Sequence, residues 1–175
     1  MAEGVAPVLV AAFGNPMAGD DAVGHLVALS IRARPLAGVE VVELGTRPVD
    51  LVLHLADRKM LLIVDAVWVD GESPGRIVDI DWFGPERPLL AVERPGGTHS
   101  MSVAHTVALA EQLALLPRAV RLLGLTVRRP ELGRPLSEVV RRSVRDLVHR
   151  IEQRADESAR KLPRTLHAPR LLTIA

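Results

Sequence analysis

The chain has 175 residues, of which 48% are hydrophobic and 25% charged, a globular mixture with enough apolar material for one sizeable core. With 22 Lys and Arg against 21 Asp and Glu the net charge is +1, which argues against a protein that tracks nucleic-acid phosphates. There is no cysteine, so disulfides, thiolate metal cages and cysteine nucleophiles are excluded together, and with 2% aromatics and no tyrosine a base-stacking surface is not expected.

The opening apolar run, Val5 to Phe13, is short, contains Pro7 and follows Glu3, unlike a secretory signal. No window approaches the roughly 20 apolar residues that span a bilayer. A cytoplasmic location is the expectation. Residues 7–13 form a buried strand that ends in Gly14-Asn15-Pro16. From Asp21 the positions Val23, Leu26, Val27, Leu29 and Ile31 suit a helix, with Asp20 or Asp21 as its cap and Pro35 beyond its end. Residues 39–44 alternate and close at Gly45-Thr46, a second strand, and Pro48 opens a short helix to Ala56. Residues 59–64 are the most apolar strand, the centre of a parallel sheet, and run into Asp65. Residues 76–81 form a charged edge strand, and 82–97 a loop rich in proline and glycine. A helix follows over 102–116 and the last strand over 119–127. Leu136, Val139, Val140, Val144, Leu147, Val148 and Ile151 trace a helical stripe, with Ser137 as N-cap.

This alternation predicts an α/β fold of three layers, a mostly parallel sheet with helices on both faces. Residues 1–155 are expected to form one domain, and 156–175 a charged, flexible tail.

Ligands of open α/β sheets bind outside the carboxyl ends of the strands. Three polar features fall there: the loop Gly14 to Gly24 with Asp20 and Asp21, Asp65 after the central strand, and His99 before a helix. Two carboxylates and an imidazole form a donor set for nickel, zinc or iron(II), with positions left open for water or substrate. Plainer roles compete. Asp20 and Asp21 can serve as helix caps, and a lone loop histidine is usually only hydrogen-bonded. Asp65 is harder to dismiss, because a buried carboxylate needs a partner or a metal. His105 lies about 240° around a helix from His99 and is read as structural. His25, His54, His149 and His167 show no partner pattern. The first loop matches neither dinucleotide nor P-loop glycine spacing and carries two acids without a lysine, and no serine-hydrolase elbow is present.

Taken in order, these pieces resemble the hydrogenase maturation endopeptidases. The carrying residues are Gly14-Asn15 through Asp20-Asp21 to Gly24, then Gly45-Thr46, Asp65-Ala66, His99, Gly124-Leu125, and Leu136-Ser137 with Val140, over roughly residues 7 to 150. Ala12 stands where the family often carries glycine. The resemblance implies a twisted five-stranded sheet and an endopeptidase that removes the C-terminal peptide of a nickel–iron hydrogenase large-subunit precursor after nickel insertion. It implies Asp21, Asp65 and His99 as the catalytic and nickel-contacting residues, with nickel supplied by the precursor. The protease is expected to act as a monomer. A non-catalytic module that checks the nickel-loaded precursor would use the same three residues, and an unrelated metal hydrolase would instead bind its metal tightly on its own.

Overall fold

The computed structural model describes residues 5–68, 71–87, 102–128 and 131–160. Five strands, β1 (Val8–Phe13), β2 (Val39–Gly45), β3 (Met60–Trp68), β4 (Ile77–Asp81) and β5 (Ala119–Val127), form one sheet in the order β2-β1-β3-β5-β4. All neighbours are parallel except β4, which runs antiparallel to β5 as an edge strand. Three helices flank it: α1 (Val23–Ala33), α2 (Val103–Gln112) and α3 (Glu138–Arg160). The short helix expected after Pro48 is a 3-10 segment, Pro48–His54.

Alternation along the strands feeds two cores. Val8, Val10, Leu62, Val64, Leu123 and Leu125 pack against Val27 and Ile31 of α1 and against α3. On α3 the buried stripe is Val140, Val144, Leu147, Ile151 and Ala155, the spacing of one helical face. Leu9, Ala11, Phe13, Leu61 and Ile63 point the other way, onto Leu51, Leu55, and Val107 and Ala110 of α2. Buried on both sides, β1 and the first five residues of β3, Met60 to Val64, read as continuous apolar runs.

Two details differ from the sequence-based expectation. First, β3 does not stop before Asp65 but continues to Trp68. Its ladder with β1 ends at Ala12 opposite Val64, while its ladder with β5 runs on to Trp68 opposite Val127. Asp65 is therefore the first β3 residue past the reach of β1. Second, α3 continues to Arg160, five residues into the segment read as a tail. Residues 161–175 and His99, in the segment 88–101, lie outside the described residues.

On the edge strand β4, two strands away from Asp65, Asp79 fastens α3 to the sheet. It accepts hydrogen bonds from Arg121 Nε at 2.7 Å and from Arg154 Nε at 3.0 Å. Burial disfavours its charge, but the bonds from Arg154 and Arg121 outweigh that and hold its pKa below 3.8. A carboxyl whose folded pKa is depressed stabilises the fold above its unfolded pKa and loses that contribution as pH falls through the folded value. Wild-type stability should therefore decline below about pH 4, and Asp79→Asn should flatten that decline. At neutral pH, Asp79→Asn should lower the unfolding free energy by about 1–3 kcal/mol in urea titrations.

Candidate active site at the carboxyl rim

In the order β2-β1-β3-β5-β4, the chain leaves β1 toward one side for β2 and crosses back to the other for β3. The crevice beyond the C-terminal ends of β1 and β3 is thus the topological switch point, where ligands of such sheets bind. The loop after β1 begins at this rim, and Asp65 of β3 lies at the same end of the sheet.

Local chemistry dictates that loop's shape. Gly14 has φ +119°, and a Cβ there would lie 2.0 Å from the Asp21 carbonyl oxygen. Only glycine lets the loop close back on itself. The Asn15 side chain accepts the Met17 N–H at 2.9 Å, and the Asn15 N–H donates to Asp21 Oδ2 at 2.8 Å. A 3-10 turn over Gly19–Ala22 then leads into α1, and it packs against β3. Gly24 brings α1 onto β1 so closely that a Cβ would sit 2.0 Å from the Phe13 carbonyl oxygen. Gly24→Ala should therefore destabilise the protein by about 3 kcal/mol or more, measured by chemical denaturation.

The two neighbouring acids divide cleanly. Neither caps α1, as sequence reasoning expected of one of them; no side chain caps that helix. Asp20, 9% exposed, reaches across the rim to the start of α3. Its Oδ1 accepts the Ser137 N–H at 2.7 Å and its Oδ2 accepts the Ser137 hydroxyl at 3.0 Å. The Ser137 hydroxyl stands 3.4 Å from the Val140 N–H, near the α3 N-terminus where the sequence placed an N-cap. Asp21, 6% exposed, spends one oxygen on Asn15, whereas its Oδ1 has no hydrogen-bond partner. Among the described residues only one other buried side-chain polar atom shares that condition, Thr106 Oγ1 in α2. An unsatisfied buried carboxylate oxygen costs free energy and calls for a reason to be kept.

Asp65 is partly buried and its Oδ1 accepts the Ala66 N–H at 2.9 Å. In the β3–β5 register it stands beside Gly124, which presents no side chain of its own. Asp21 and Asp65 thus belong to the same rim of the sheet, one in the connection that follows β1 and the other in β3 just past its ladder with β1. Among the described residues no group of three or more His, Asp or Glu is arranged to hold a metal.

Beside this crevice lies a cleft of about 500 Å³, lined by Gly14-Asn15-Pro16, by Glu43 to Arg47 and by Arg32. It joins two motifs distant in sequence. The β1–β2 register slips between Ala12 and Phe13, so that Phe13 pairs with Gly45, and the Gly14 N–H donates to the Gly45 carbonyl at 3.1 Å. Its charged wall was not legible in the sequence. Glu43 is bonded to His25 Nδ1 at 2.6 Å and to Arg32 at 2.9 Å. The His25 bond first, then the bond from Arg32, lower the Glu43 pKa against the opposing effect of burial. The signal was the meeting of α1 with β2, which no local pattern reveals. Asn15 and Ser137 were read only as parts of a motif and a cap; their bonds to the acids emerge from the fold.

The division of labour between the acids is testable by stability alone. Asp20→Ala removes both acceptors of Ser137 and should cost about 1–3 kcal/mol. Asp20→Asn keeps an acceptor for the Ser137 N–H and should cost less than about 1 kcal/mol in the same denaturant titration.

Residues 25–154 match the hydrogenase maturation protease family (HycI), a span that begins just past the first loop. Protein FrxA of Pyrococcus furiosus is 30% identical over 128 residues, which cover 72% of this chain and 88% of that protein. The hydrogenase maturating endopeptidase HybD of E. coli superposes with a TM-score of 0.74 at 22% identity, over 86% of this chain and 93% of that one. A hydrogenase 3 maturation protease superposes with a TM-score of 0.68 at 28% identity, over 83% and 89%. The sheet order, the flanking helices and the family match over most of the chain lead to one conclusion: this protein belongs to the hydrogenase maturation proteases, a family of peptidases.

Proposed function

We propose that the protein is the endopeptidase that removes the C-terminal peptide of a nickel–iron hydrogenase large-subunit precursor once nickel has been inserted. Asp21, Asp65 and His99 contact that nickel, which arrives in the precursor and is part of the substrate. Domain 1–155 carries the reaction as a cytoplasmic monomer.

The observation that supports this reading is the free Oδ1 of Asp21. It is a buried, ligand-grade oxygen held in place by Asn15 at the switch-point crevice. A site built of oxygen donors with open positions, and without thiolates, holds a free ion weakly. A precursor that presents nickel through its own ligands completes the coordination and delivers the scissile peptide in one step. Binding energy is then realised only with correctly metallated substrate, which is a source of specificity. Peptide hydrolysis needs a base for the attacking water and polarisation of the carbonyl. A carboxylate of the pair can accept the proton, and the precursor's nickel can polarise the carbonyl. The cleft beside Gly45-Thr46 leaves room for an extended peptide leading away from the rim.

Two measurements test the proposal. Asp21→Asn and Asp65→Asn should each slow appearance of the shortened large subunit by about 100-fold or more, with melting temperatures unchanged. Chelator-treated enzyme should process nickel-loaded precursor and leave metal-free precursor intact. Comparable cleavage of the metal-free form would reject nickel gating and describe a constitutive peptidase.

A further inference from the structure

The cleft beside the crevice is walled by the end of β2 and by α1, and its chemistry is one-sided. His25 and Arg32 stand seven residues apart on one face of α1, and both reach Glu43 of β2. Each takes up one Glu43 oxygen, His25 on Oε1 at 2.6 Å and Arg32 Nη1 on Oε2 at 2.9 Å. The Arg32 Nε and Nη2 groups have no partner among the described residues. Arg47, just past Gly45-Thr46, lines the same cleft, and among the described residues its guanidinium meets only Asp50, at 3.3 Å. Nearer the rim stand the Asn15 side-chain amide nitrogen and the Thr46 hydroxyl, also without partners among the described residues.

Formal charge around the cleft balances, Arg32 and Arg47 against Glu43 and Asp50, with His25 adding a positive charge when protonated. Hydrogen-bonding capacity does not balance. Glu43 already accepts from two donors, and Asp50 belongs to the 3-10 segment Pro48–His54 outside the lining. Each guanidinium presents several N–H groups in a planar fork and has spent little of it. A cationic side chain entering here meets two guanidinium groups and an occupied carboxylate. An apolar one displaces water from the donors without replacing its bonds. A carboxylate matches the fork in both charge and geometry.

We infer that this cleft reads a carboxylate of the excised C-terminal peptide, held between Arg32 and Arg47. Resting on the proposed function, this deepens it: a charge requirement on the peptide joins the metal requirement at the rim. Asn15 connects the two, because it lines the cleft while its N–H holds Asp21 Oδ2. A peptide cut beside Asp21 runs past Asn15 and Thr46 toward the arginines. Arg32 is preorganised, since Glu43 fixes it and His25 fixes Glu43 in turn, so little side-chain freedom is lost on binding. Such a contact, away from the reacting atoms, is equal in ground and transition states and acts on KM rather than kcat. The peptide has two sources of a carboxylate, an acidic side chain and its chain terminus.

The test is a coupling cycle in full-length protein with nickel-loaded precursor. The protease variants are Arg32→Gln and Arg47→Gln, with Arg34→Gln as the control. Arg34 follows the end of α1 and meets Glu152 at 3.3 Å, outside the cleft. One precursor variant replaces the acidic side chains of the C-terminal extension by their amides. A second appends a glycine–serine pair, which displaces the terminal carboxylate. With the native precursor, each cleft variant should raise KM about tenfold, the worth of a hydrogen bond to a charged group. Their kcat and melting temperature should stay unchanged, and Arg34→Gln should match the wild type. One of the precursor variants should raise the wild-type KM by a similar factor, and Arg32→Gln should then add nothing further. Coupling to the amide variant assigns an acidic side chain, and coupling to the lengthened variant assigns the chain terminus. An unchanged KM, a fall in kcat alone, or protease and precursor effects that multiply independently overturn the carboxylate reading while leaving the proposed function standing. A wild type that leaves the native precursor intact rejects the functional reading itself, and the carboxylate site with it.

Discussion

A buried carboxylate with only one of its two oxygens satisfied is expensive to maintain, and the rim of this protein is organised around that expense. Asp21 is nearly closed off from water, and Asn15 is the hydrogen-bond donor to its Oδ2. The loop tolerates the arrangement because its backbone is over-determined. Gly14 folds the chain back against Asp21, and Gly24 locks α1 against β1. The Ala18 and Asp21 N–H groups are both taken up within the loop. With so little freedom left, the carboxylate has little room to turn its bare oxygen toward solvent. Strain and unsatisfied polarity of this kind concentrate at functional sites.

The adjacent acid shows how one dipeptide serves two ends. Asp20 is as buried as its neighbour but fully engaged, gripping Ser137 at the entry to α3. That grip matters because α3 belongs to the apolar layer beneath α1. Tying the start of α3 to the first loop couples two connections that are more than a hundred residues apart in the chain. The site therefore rests on the packing of a whole face of the sheet. This is the kind of precision a peptidase needs in placing its reactive groups.

Other charge clusters brace the frame without entering the crevice. Asp79 holds Arg121 and Arg154 at the β4 edge. Glu111 of α2 binds both Arg87 and the Trp82 indole, with the Arg87 guanidinium stacked 4.5 Å from the Trp82 ring centroid. The Arg87 bond foremost, aided by the Trp82 bond, lowers the Glu111 pKa despite opposing desolvation. This second cluster anchors the chain just before residue 88 on the helix that begins after residue 101. Both ends of that connection are fixed, the far end by the Ser102 cap of α2.

Fold class was legible in the sequence because burial imposes periodicity. The doubly buried stretches, β1 and β3 up to Val64, read as unbroken apolar runs, and the α3 stripe follows a helical period, since each side chain must find the core at its own position. The ordered motifs from Gly14 to Ser137 likewise pointed to the family, because glycines at close approaches and acids at strand ends are local requirements. The sequence could not decide which of Asp20 and Asp21 would stay unsatisfied. Both can cap a helix, and the choice depends on Ser137, 117 residues away, arriving beside one of them. Nor could it show that β3 continues past Asp65. That extension is made by β5 alone, after β1 has turned away, and only the assembled sheet contains the difference between those two ladders. The pairing of His25 and Arg32 with Glu43, and of Met17 with the 131–137 loop, has the same origin. Local chemistry specifies what each residue can do, while long-range packing decides which partner it meets.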